Sequence, residues 1–174
     1  MEFKTPRGTA SYAYVHKAQK AMDPGKPDQF SMTLIWDENE PKIQKLRDAI
    51  VEVATKKFGA KAKQMLEKGQ LRSPLRDGAE KEGTPGYDGK VFLTARSSDK
   101  PEVVDEDAEP IIDPMDFYSG CEARMLLWLF PYEKAGNKGV GAILNGVQKL
   151  GDGERISGRR PARDAFREDD EDMM

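Results

Sequence analysis

Cationic and aromatic side chains alternate along several short stretches of this sequence. In the stretch KVFLTAR, Lys90, Phe92 and Arg96 fall on one face, because side chains alternate between the two faces of a β-strand. Arg124 and Trp128 share a face in the same way within a later apolar stretch. Binding of unpaired nucleotides requires cations for the phosphates and flat rings for the bases. These stretches therefore predict a surface that binds single-stranded nucleic acid.

Other cations and rings of the same kind lie in an early strand and in two loops. The complete set of predicted contacts is Tyr12, Tyr14, Lys17, Arg76, Lys90, Phe92, Arg96, Arg124, Trp128, Tyr132 and Lys138. We expect Phe92, Tyr12 or Tyr14 to stack on bases. Rings in half-buried strands also fill cores, and this alternative is favoured for Trp36 and Trp128.

Residues suited to catalysis are sparse. The chain contains one cysteine, Cys121, and one histidine, His16, which excludes a cysteine-cluster zinc site and makes histidine chemistry a weak hypothesis. The densest groups of acids lie in a proline-containing segment and at the C-terminus, and neither position gives the fixed geometry that a catalytic metal needs. The stretch 136–141 lacks the Gly-Lys-Ser/Thr ending of a nucleotide-binding loop. We expect no catalysis, no cofactor and no metal, and we expect Cys121 to be a small buried residue.

The formal net charge of -3 is unevenly distributed. Residues 168–174 carry five acids and no base, so residues 1–167 have a net charge of +2. Residues 102–116 carry seven more acids and no base, which leaves +9 for the rest of the chain. Acidic runs are usually solvated and disordered. A sharper interpretation is that the tail competes with nucleic acid for the basic surface, or docks on partner proteins. The residues of this tail are Glu168, Asp169, Asp170, Glu171, Asp172, Met173 and Met174.

The order of predicted elements is strands, a helical block and then strands. Alternating patterns predict strands over residues 9–17, 30–36, 90–96, 121–130 and 140–150. In the first of these, Ala10, Tyr12 and Tyr14 are expected on one face. Helical spacing follows Pro41 as far as Phe58, and a shorter helix covers residues 60–68. Residues 70–89 are expected to form a loop and residues 131–139 a hairpin loop. The order suits a mainly β fold, a five-stranded antiparallel barrel of the OB-fold type with a helical block in its middle connection.

The length of 174 residues suits one domain with a tail. We expect a folded domain over residues 1–154 and a flexible polar tail over residues 155–174. No apolar run approaches the roughly 18 residues that span a membrane, so a cytosolic protein is expected. The sequence leaves open whether the protein is a monomer or a homodimer.

Several short stretches together carry a resemblance to a known family. They are FSMTL at 30–34, PLRDG at 74–78, GKVFLTAR at 89–96, YSGC at 118–121, FPY at 130–132, GNKGV at 136–140, NGVQK at 145–149 and DGE at 152–154. In this order and spacing the sequence resembles the bacteriophage single-stranded-DNA-binding proteins, a family formerly of unknown function.

The resemblance implies an OB-fold that coats single-stranded DNA during phage replication and recombination, in the cytoplasm of the infected bacterium, without cofactor or catalysis. It also implies an acidic tail that shields the DNA site and docks replication partners such as a polymerase or helicase. Such tails usually end in an aromatic residue, whereas this one ends in Met173 and Met174. Two alternatives remain: an acidic interaction or inhibitor module that mimics DNA, and a metal-dependent nuclease.

Overall fold

The computed structural model describes residues 1–81, 83–84 and 86–156, with the isolated residues 162 and 166. Up to residue 156 these form eight strands and two α-helices. The strands are β1 Glu2–Lys4, β2 Gly8–Gln19, β3 Gln29–Asp37, β4 Leu75–Asp77, β5 Lys90–Ser97, β6 Glu102–Val104, β7 Glu122–Lys134 and β8 Asn137–Gly151. The helices are α1 Ile43–Phe58 and α2 Ala62–Glu67, with 3-10 turns at Gly78–Lys81 and Pro114–Asp116. None of the helices in this part of the chain is long and apolar enough to cross a bilayer.

Five strands close into a barrel in the order β2, β3, β5, β8, β7 and back to β2. β5 and β8 run parallel and meet at Arg96 and Ile143, whereas the other neighbours in this ring are antiparallel. A closed five-stranded barrel of this kind is an OB-fold, as the element order predicts. β1 extends the sheet beside β7, and β6 extends it beside β8.

The interior of the barrel is filled by alternate side chains of its strands. Met32 and Leu34 of β3 and Leu93 and Ala95 of β5 are fully buried and form the inner faces of these two strands. Trp36 is also buried, and its indole Nε1 donates to the carbonyl of Pro6 at 3.1 Å. The residues of β3 and β5 between these, including Thr33 and Thr94, therefore face outward.

Helix α1 packs against β7 and β8 through an apolar stripe at helical spacing. Ile43, Leu46, Ile50 and Val53 of this stripe are buried. The helix begins at Ile43, two residues after Pro41, and ends at Phe58. It is capped by Gly59, whose φ of 84° a residue with a side chain rarely adopts. The predicted helical block is thus confirmed, with both helices starting slightly later than predicted.

Two segments without predicted structure are part of the sheet. In the predicted loop 70–89, Leu75–Asp77 pairs with β5, and Arg72 forms a bridge with Gly139 of β8. This segment fills the space where β5 and β8 separate. In the acidic segment, Glu102–Val104 pairs with β8 and buries Val103 in the core. Both strands have three residues, too few for an alternating pattern to indicate them.

The hairpin predicted at residues 131–139 is present, but its loop is much shorter than predicted. β7 and β8 continue through this region and are joined by Ala135 and Gly136 alone, with φ of 52° and 83°. Two residues with positive φ form the tight hairpin turn that matches the twist of the strands. Pro131 is tolerated inside β7 because the pairing of β7 with the N-terminal segment stops at Leu129, which exchanges hydrogen bonds with Met1, so no neighbour on that side requires the missing N–H of Pro131.

Candidate nucleic-acid interface

An irregularity in β2 turns two tyrosines outward. Ala10 and Val15 are buried in the core, whereas Tyr12 is 45% and Tyr14 36% exposed. The pairing of β2 with β3 shifts between Ser11 and Tyr14, and Tyr12 has a φ of 47°. A bulge of this kind adds one residue to the strand and reverses the alternation beyond it. The predicted sharing of one face by Ala10 and the tyrosines is therefore wrong, and both rings lie on the surface.

Five residues from five neighbouring strands form a line across the outside of the barrel. Tyr14 pairs with Ser31, Ser31 with Arg96, Arg96 with Ile143, and Ile143 with Trp128. Trp128 is 46% and Ile143 36% exposed. With neighbouring strands spaced about 4.8 Å apart, the line is about 19 Å long when it is measured along the sheet. Because these five strands make up the closed barrel, the line winds around the barrel. We call these five residues the transverse row.

Arg96 places a positive charge in the middle of the transverse row. Its side chain is exposed and forms no ion pair or hydrogen bond with the residues that the structure describes. Lys17, three residues after Tyr14 in β2, is exposed and equally unpaired within the described chain. Glu2 lies opposite Trp128 and places a negative charge at the far end. Positive charge is therefore concentrated on the part of the row nearest β2 and β5.

Three rings follow one another along the outer face of β7. Trp128, Phe130 and Tyr132 are two residues apart, and the ring centroids of Phe130 and Tyr132 lie 6.3 Å apart. Gly141 of β8 lies under the ring of Phe130, where a Cβ would collide with it. These rings lead from the transverse row to the hairpin turn, beside which the side chain of Lys138 has no partner among the described residues.

Three of the predicted cationic side chains already have an ion-pair or hydrogen-bond partner within the protein. Arg76 Nε lies 3.0 Å from Glu80 Oε2, and Lys90 Nζ lies 3.6 Å from Asp37 Oδ2. Arg124 Nε donates to Gln148 Oε1 at 2.6 Å. The N–H of Asn39 and, less strongly, Lys90 lower the pKa of Asp37, so this carboxylate stays ionised beside Lys90. Arg76 and Lys90 therefore offer phosphates less charge than Arg96 does.

Phe92 does not offer a stacking face in this structure. Its side chain is 2% exposed and forms a small cluster with Ile35 and Tyr87 on the outer side of the sheet. The rings of Tyr87 and Phe92 meet edge to face, with centroids 5.2 Å apart. Burial raises the pKa of Tyr87, whose hydroxyl donates to Ser11 Oγ at 3.4 Å. The expectation that Phe92 stacks on a base is corrected accordingly, because the segment after β4 covers the ring.

Four residues of this surface, Ser31, Phe130, Ile143 and Lys81, were not among the predicted contacts. Ile143 has no cationic or aromatic character, and only the pairing of β5 with β8 places it between Arg96 and Trp128. Lys81 lies in the segment that sequence patterns leave as a loop, and its Nζ is 5.3 Å from the ring centroid of Tyr12. No pattern of alternation could have indicated Ile143 or Lys81.

The acidic segment borders this surface. Its turn packs on the outside of β8, where Gln148 Nε2 donates to the carbonyl oxygens of Asp105 and Glu106 at 3.2 and 3.4 Å. A groove of about 260 Å³ lies between this turn and β1, lined among others by Lys4, Arg124 and Leu126. The described residues contain no group of three or more His, Cys, Asp or Glu side chains close enough to hold a metal ion. Cys121 is fully buried, as expected.

The predicted tail residues 168–174 lie outside the described residues. The chain can be followed in contact with the barrel as far as Ile156, whose N–H donates to the carbonyl of Ser119 at 3.0 Å. Ser119 Oγ in turn accepts from the N–H of Ala13 at 3.3 Å. The last continuous described stretch therefore ends close to the two exposed tyrosines of β2.

Comparison with known proteins gives a family that covers the whole chain. The family described as "Enterobacter phage Enc34, ssDNA-binding protein" matches residues 1–174. The protein p50 of Acyrthosiphon pisum secondary endosymbiont phage 1 is 32% identical over 121 residues, which are 67% of this chain and 65% of p50. The chain thus spans slightly less than two thirds of this relative.

Solved structures share the fold. The single-stranded DNA-binding protein from bacteriophage Enc34 in complex with ssDNA has a TM-score of 0.70 at 20% identity, covering 90% of this chain and 89% of its own. The single-stranded DNA-binding protein gp2.5 of bacteriophage T7 has a TM-score of 0.67 at 17% identity, covering 92% and 97%. With the family match over its entire length, the chain belongs to the family of the Enterobacter phage Enc34 ssDNA-binding protein.

Proposed function

We propose that this protein binds single-stranded DNA without catalysis and with little sequence preference, during phage DNA replication and recombination in the infected cell. The transverse row is the observation that carries the proposal. It presents two separated rings, Tyr14 and Trp128, with a cation and an apolar side chain between them. Each base can stack on a ring irrespective of its identity, because every base has a flat face.

The row has dimensions that suit a short length of DNA. About 19 Å across five strands fits the lower end of the range of roughly 4–16 nucleotides that an OB-fold occupies. A DNA strand that follows the row around the barrel places its bases over Tyr14 and Trp128 and a phosphate beside Arg96. The rings of Phe130 and Tyr132 then provide a continuation along β7 towards Lys138, with Tyr12 and Lys17 at the opposite end.

Duplex DNA fits this surface less well. Its bases are paired and stacked inside the helix, so they cannot lie on Tyr14 or Trp128. Phosphate contacts with Arg96 and Lys17 remain available to a duplex, but they carry no preference for unpaired bases. We therefore expect duplex DNA to bind more weakly than single-stranded DNA. The affinity for either form should decrease with salt concentration according to the number of phosphate contacts.

For the acidic tail we propose two roles, shielding of the DNA site and docking of replication proteins. The last continuous described stretch ends at Ile156, one hydrogen bond from Ser119 and near Tyr12 and Tyr14. The remaining 18 residues of the 174-residue chain can extend roughly 60 Å, so the acids at 168–172 can reach Arg96. We retain the division into a DNA-binding domain over 1–154 and a tail over 155–174, although contacts continue to Ile156.

Titration of a labelled thymidine oligomer, followed by fluorescence anisotropy, tests the proposal. The double variant Arg96→Gln/Trp128→Ala should bind at least tenfold more weakly than the unaltered protein, because it removes a phosphate contact and a stacking ring. A matched control is Arg47→Gln/Ile112→Ala, which removes one cation and one exposed apolar side chain elsewhere. Equal affinities of the two double variants would contradict the proposed site.

The same titration separates the alternatives. A DNA-mimicking inhibitor should fail to bind the oligomer even when residues 157–174 are removed. A nuclease should shorten the oligomer when magnesium is added. The proposed function predicts binding with and without magnesium and an oligomer that stays intact.

A further inference from the structure

Tyr12 is held in a conformation that its residue type rarely adopts. Its φ of 47° lies in the left-handed region. Apart from Gly, Asn and Asp, residues adopt this region uncommonly, and a bulky residue such as Tyr is an outlier there. Such backbone outliers persist only where the surroundings impose them, and they concentrate at functional sites. The ring is nevertheless 45% exposed, so core packing alone does not hold it in place.

Lys81 lies at the centre of a cluster of three rings. Its Nζ is 5.3 Å from the ring centroid of Tyr12 and 5.7 Å from the centroids of Tyr87 and Phe92. These distances are within the roughly 6 Å at which a cation is attracted to the face of an aromatic ring. No carboxylate within the described part of the chain pairs with Lys81, and neighbouring Glu80 is engaged by Arg76.

The two inner rings of this cluster are held in place by burial. Tyr87 and Phe92 are both buried, and the hydroxyl of Tyr87 reaches Ser11 in the strand that carries Tyr12. The 3-10 turn that ends at Lys81 begins at Gly78, where a Cβ would collide with the carbonyl of Tyr87. The ammonium group is therefore placed by a close-packed turn, and Tyr12 is the only one of its three rings that is open to solvent.

We propose that Lys81 is a positioning residue for DNA binding, which holds the ring of Tyr12 by a cation–π contact on one face and leaves the other face open to a base. The inference rests on the proposed function. It adds that the ring of Tyr12 is already oriented for stacking in the protein without DNA. This orientation depends on the charge of Lys81. Ordering the ring in advance removes the entropy cost of immobilising it on binding.

A double-mutant cycle with a thymidine oligomer tests the inference. Tyr12→Ala should weaken binding about 5- to 150-fold, the range that corresponds to loss of one stacked base. Lys81→Met keeps an unbranched apolar stem without the charge and should weaken binding severalfold. In the Tyr12→Ala background, Lys81→Met should have no further effect, because its effect acts through the ring. Lys81→Arg should restore most of the affinity, since a guanidinium also binds over rings.

The dependence of affinity on salt distinguishes positioning from a phosphate contact. A positioning residue leaves the slope of log K against log salt unchanged, whereas loss of a phosphate contact reduces it by about 0.7. Lys57→Met is the matched control, since it removes an exposed cation from helix α1 and should change the affinity little. Thermal unfolding of each variant checks that the fold is kept. If Lys81→Met lowers the melting temperature, Lys81→Gln replaces it in the cycle.

Three results would overturn the inference: an equal effect of Lys81→Met with and without Tyr12, a reduced salt slope, or unchanged affinity of Lys81→Met. Failure of this inference can be distinguished from failure of the proposed function. If only the inference fails, the double variant Arg96→Gln/Trp128→Ala should still bind the oligomer more weakly than the unaltered protein. If the unaltered protein and the protein without residues 157–174 both fail to bind the oligomer, the proposed function fails with it.

Discussion

The ring of Phe92 packs against Ile35 and meets Tyr87 edge to face. Because the ring is buried, Phe92→Ala should lower the free energy of unfolding by about 3 kcal/mol, as is common for large buried rings. Urea unfolding measures this change. Phe92→Leu is the control, since it retains most of the apolar volume and should cost about half as much or less. A variant Phe92→Ala of unchanged stability would contradict the packing described for this cluster.

His16 connects the stability of the protein to pH. Burial and, to a lesser degree, Lys100 lower its pKa, whereas Asp113 opposes this, and its buried Nε2 has no hydrogen-bond partner among the described residues. The folded state therefore binds a proton less readily than the unfolded state. Stability should be greatest above the ordinary histidine pKa of about 6.5 and should fall as the pH decreases through that value.

Urea unfolding at pH 7.5 and 5.5 measures this linkage when the protein is compared with His16→Gln. Other groups titrate equally in both proteins, so the difference between them isolates His16. The unaltered protein should lose more stability on acidification than the variant. An identical loss in both would contradict the assigned shift.

At the scale of elements, we expect the acidic turn beside β8 to oppose the binding of DNA to the adjoining surface, because its carboxylates repel phosphates. Glu106, Asp107 and Glu109 are exposed, and their carboxylates have no ion-pair partner within the described chain. The triple variant Glu106→Gln/Asp107→Asn/Glu109→Gln should bind a thymidine oligomer severalfold more tightly at about 50 mM salt. The gain should disappear near 1 M salt, where the screening length falls to about 3 Å.

A matched triple variant neutralises acids of the helical block, Asp48→Asn/Glu52→Gln/Glu67→Gln. It makes the same change in net charge and should give a smaller gain, because the helices are not part of the transverse row. If both triple variants gain equally, net charge rather than the position of the acidic turn determines affinity.

The elements that could be predicted from the sequence are those long enough to show a regular alternation of apolar and polar residues. β3 and β5 alternate without interruption, so their buried faces could be assigned to individual residues. In β2 the bulge at Tyr12 reversed the alternation, and an extra residue in a strand leaves no mark on composition. The strand at Leu75–Asp77 is defined by pairing with β5 and not by its own three residues.

At the scale of the whole molecule, the candidate site depends on one long-range pairing. Arg96 could be identified as a surface residue from its neighbours in the sequence, whereas a core position was favoured for Trp128, whose side chain is exposed. Their positions in one row follow from the parallel contact of β5 with β8 at Ile143, which no local pattern encodes. The misassigned role of Phe92 has a similar origin, since the residues that cover it come from a segment distant from its own strand.

The separation of charge between body and tail predicts the effect of truncation. Removing residues 168–174 deletes five acids and should tighten DNA binding at about 50 mM salt, because the acids no longer compete for Arg96 and Lys17. The gain should fade as salt is raised. Anisotropy titrations of both proteins across a salt series measure it. Equal affinities at the lowest salt concentration would contradict the shielding role.

Tryptophan fluorescence tests most directly whether bases lie on the transverse row. Of the two tryptophans, Trp36 is buried inside the barrel and Trp128 is exposed on the row. Saturation with a thymidine oligomer should quench the emission of Trp128 and protect it from iodide. In Trp128→Phe, which retains a ring for stacking, DNA should still bind while the remaining emission from Trp36 stays unchanged. If Trp128 keeps its emission and its iodide accessibility at saturation, the DNA does not follow the row.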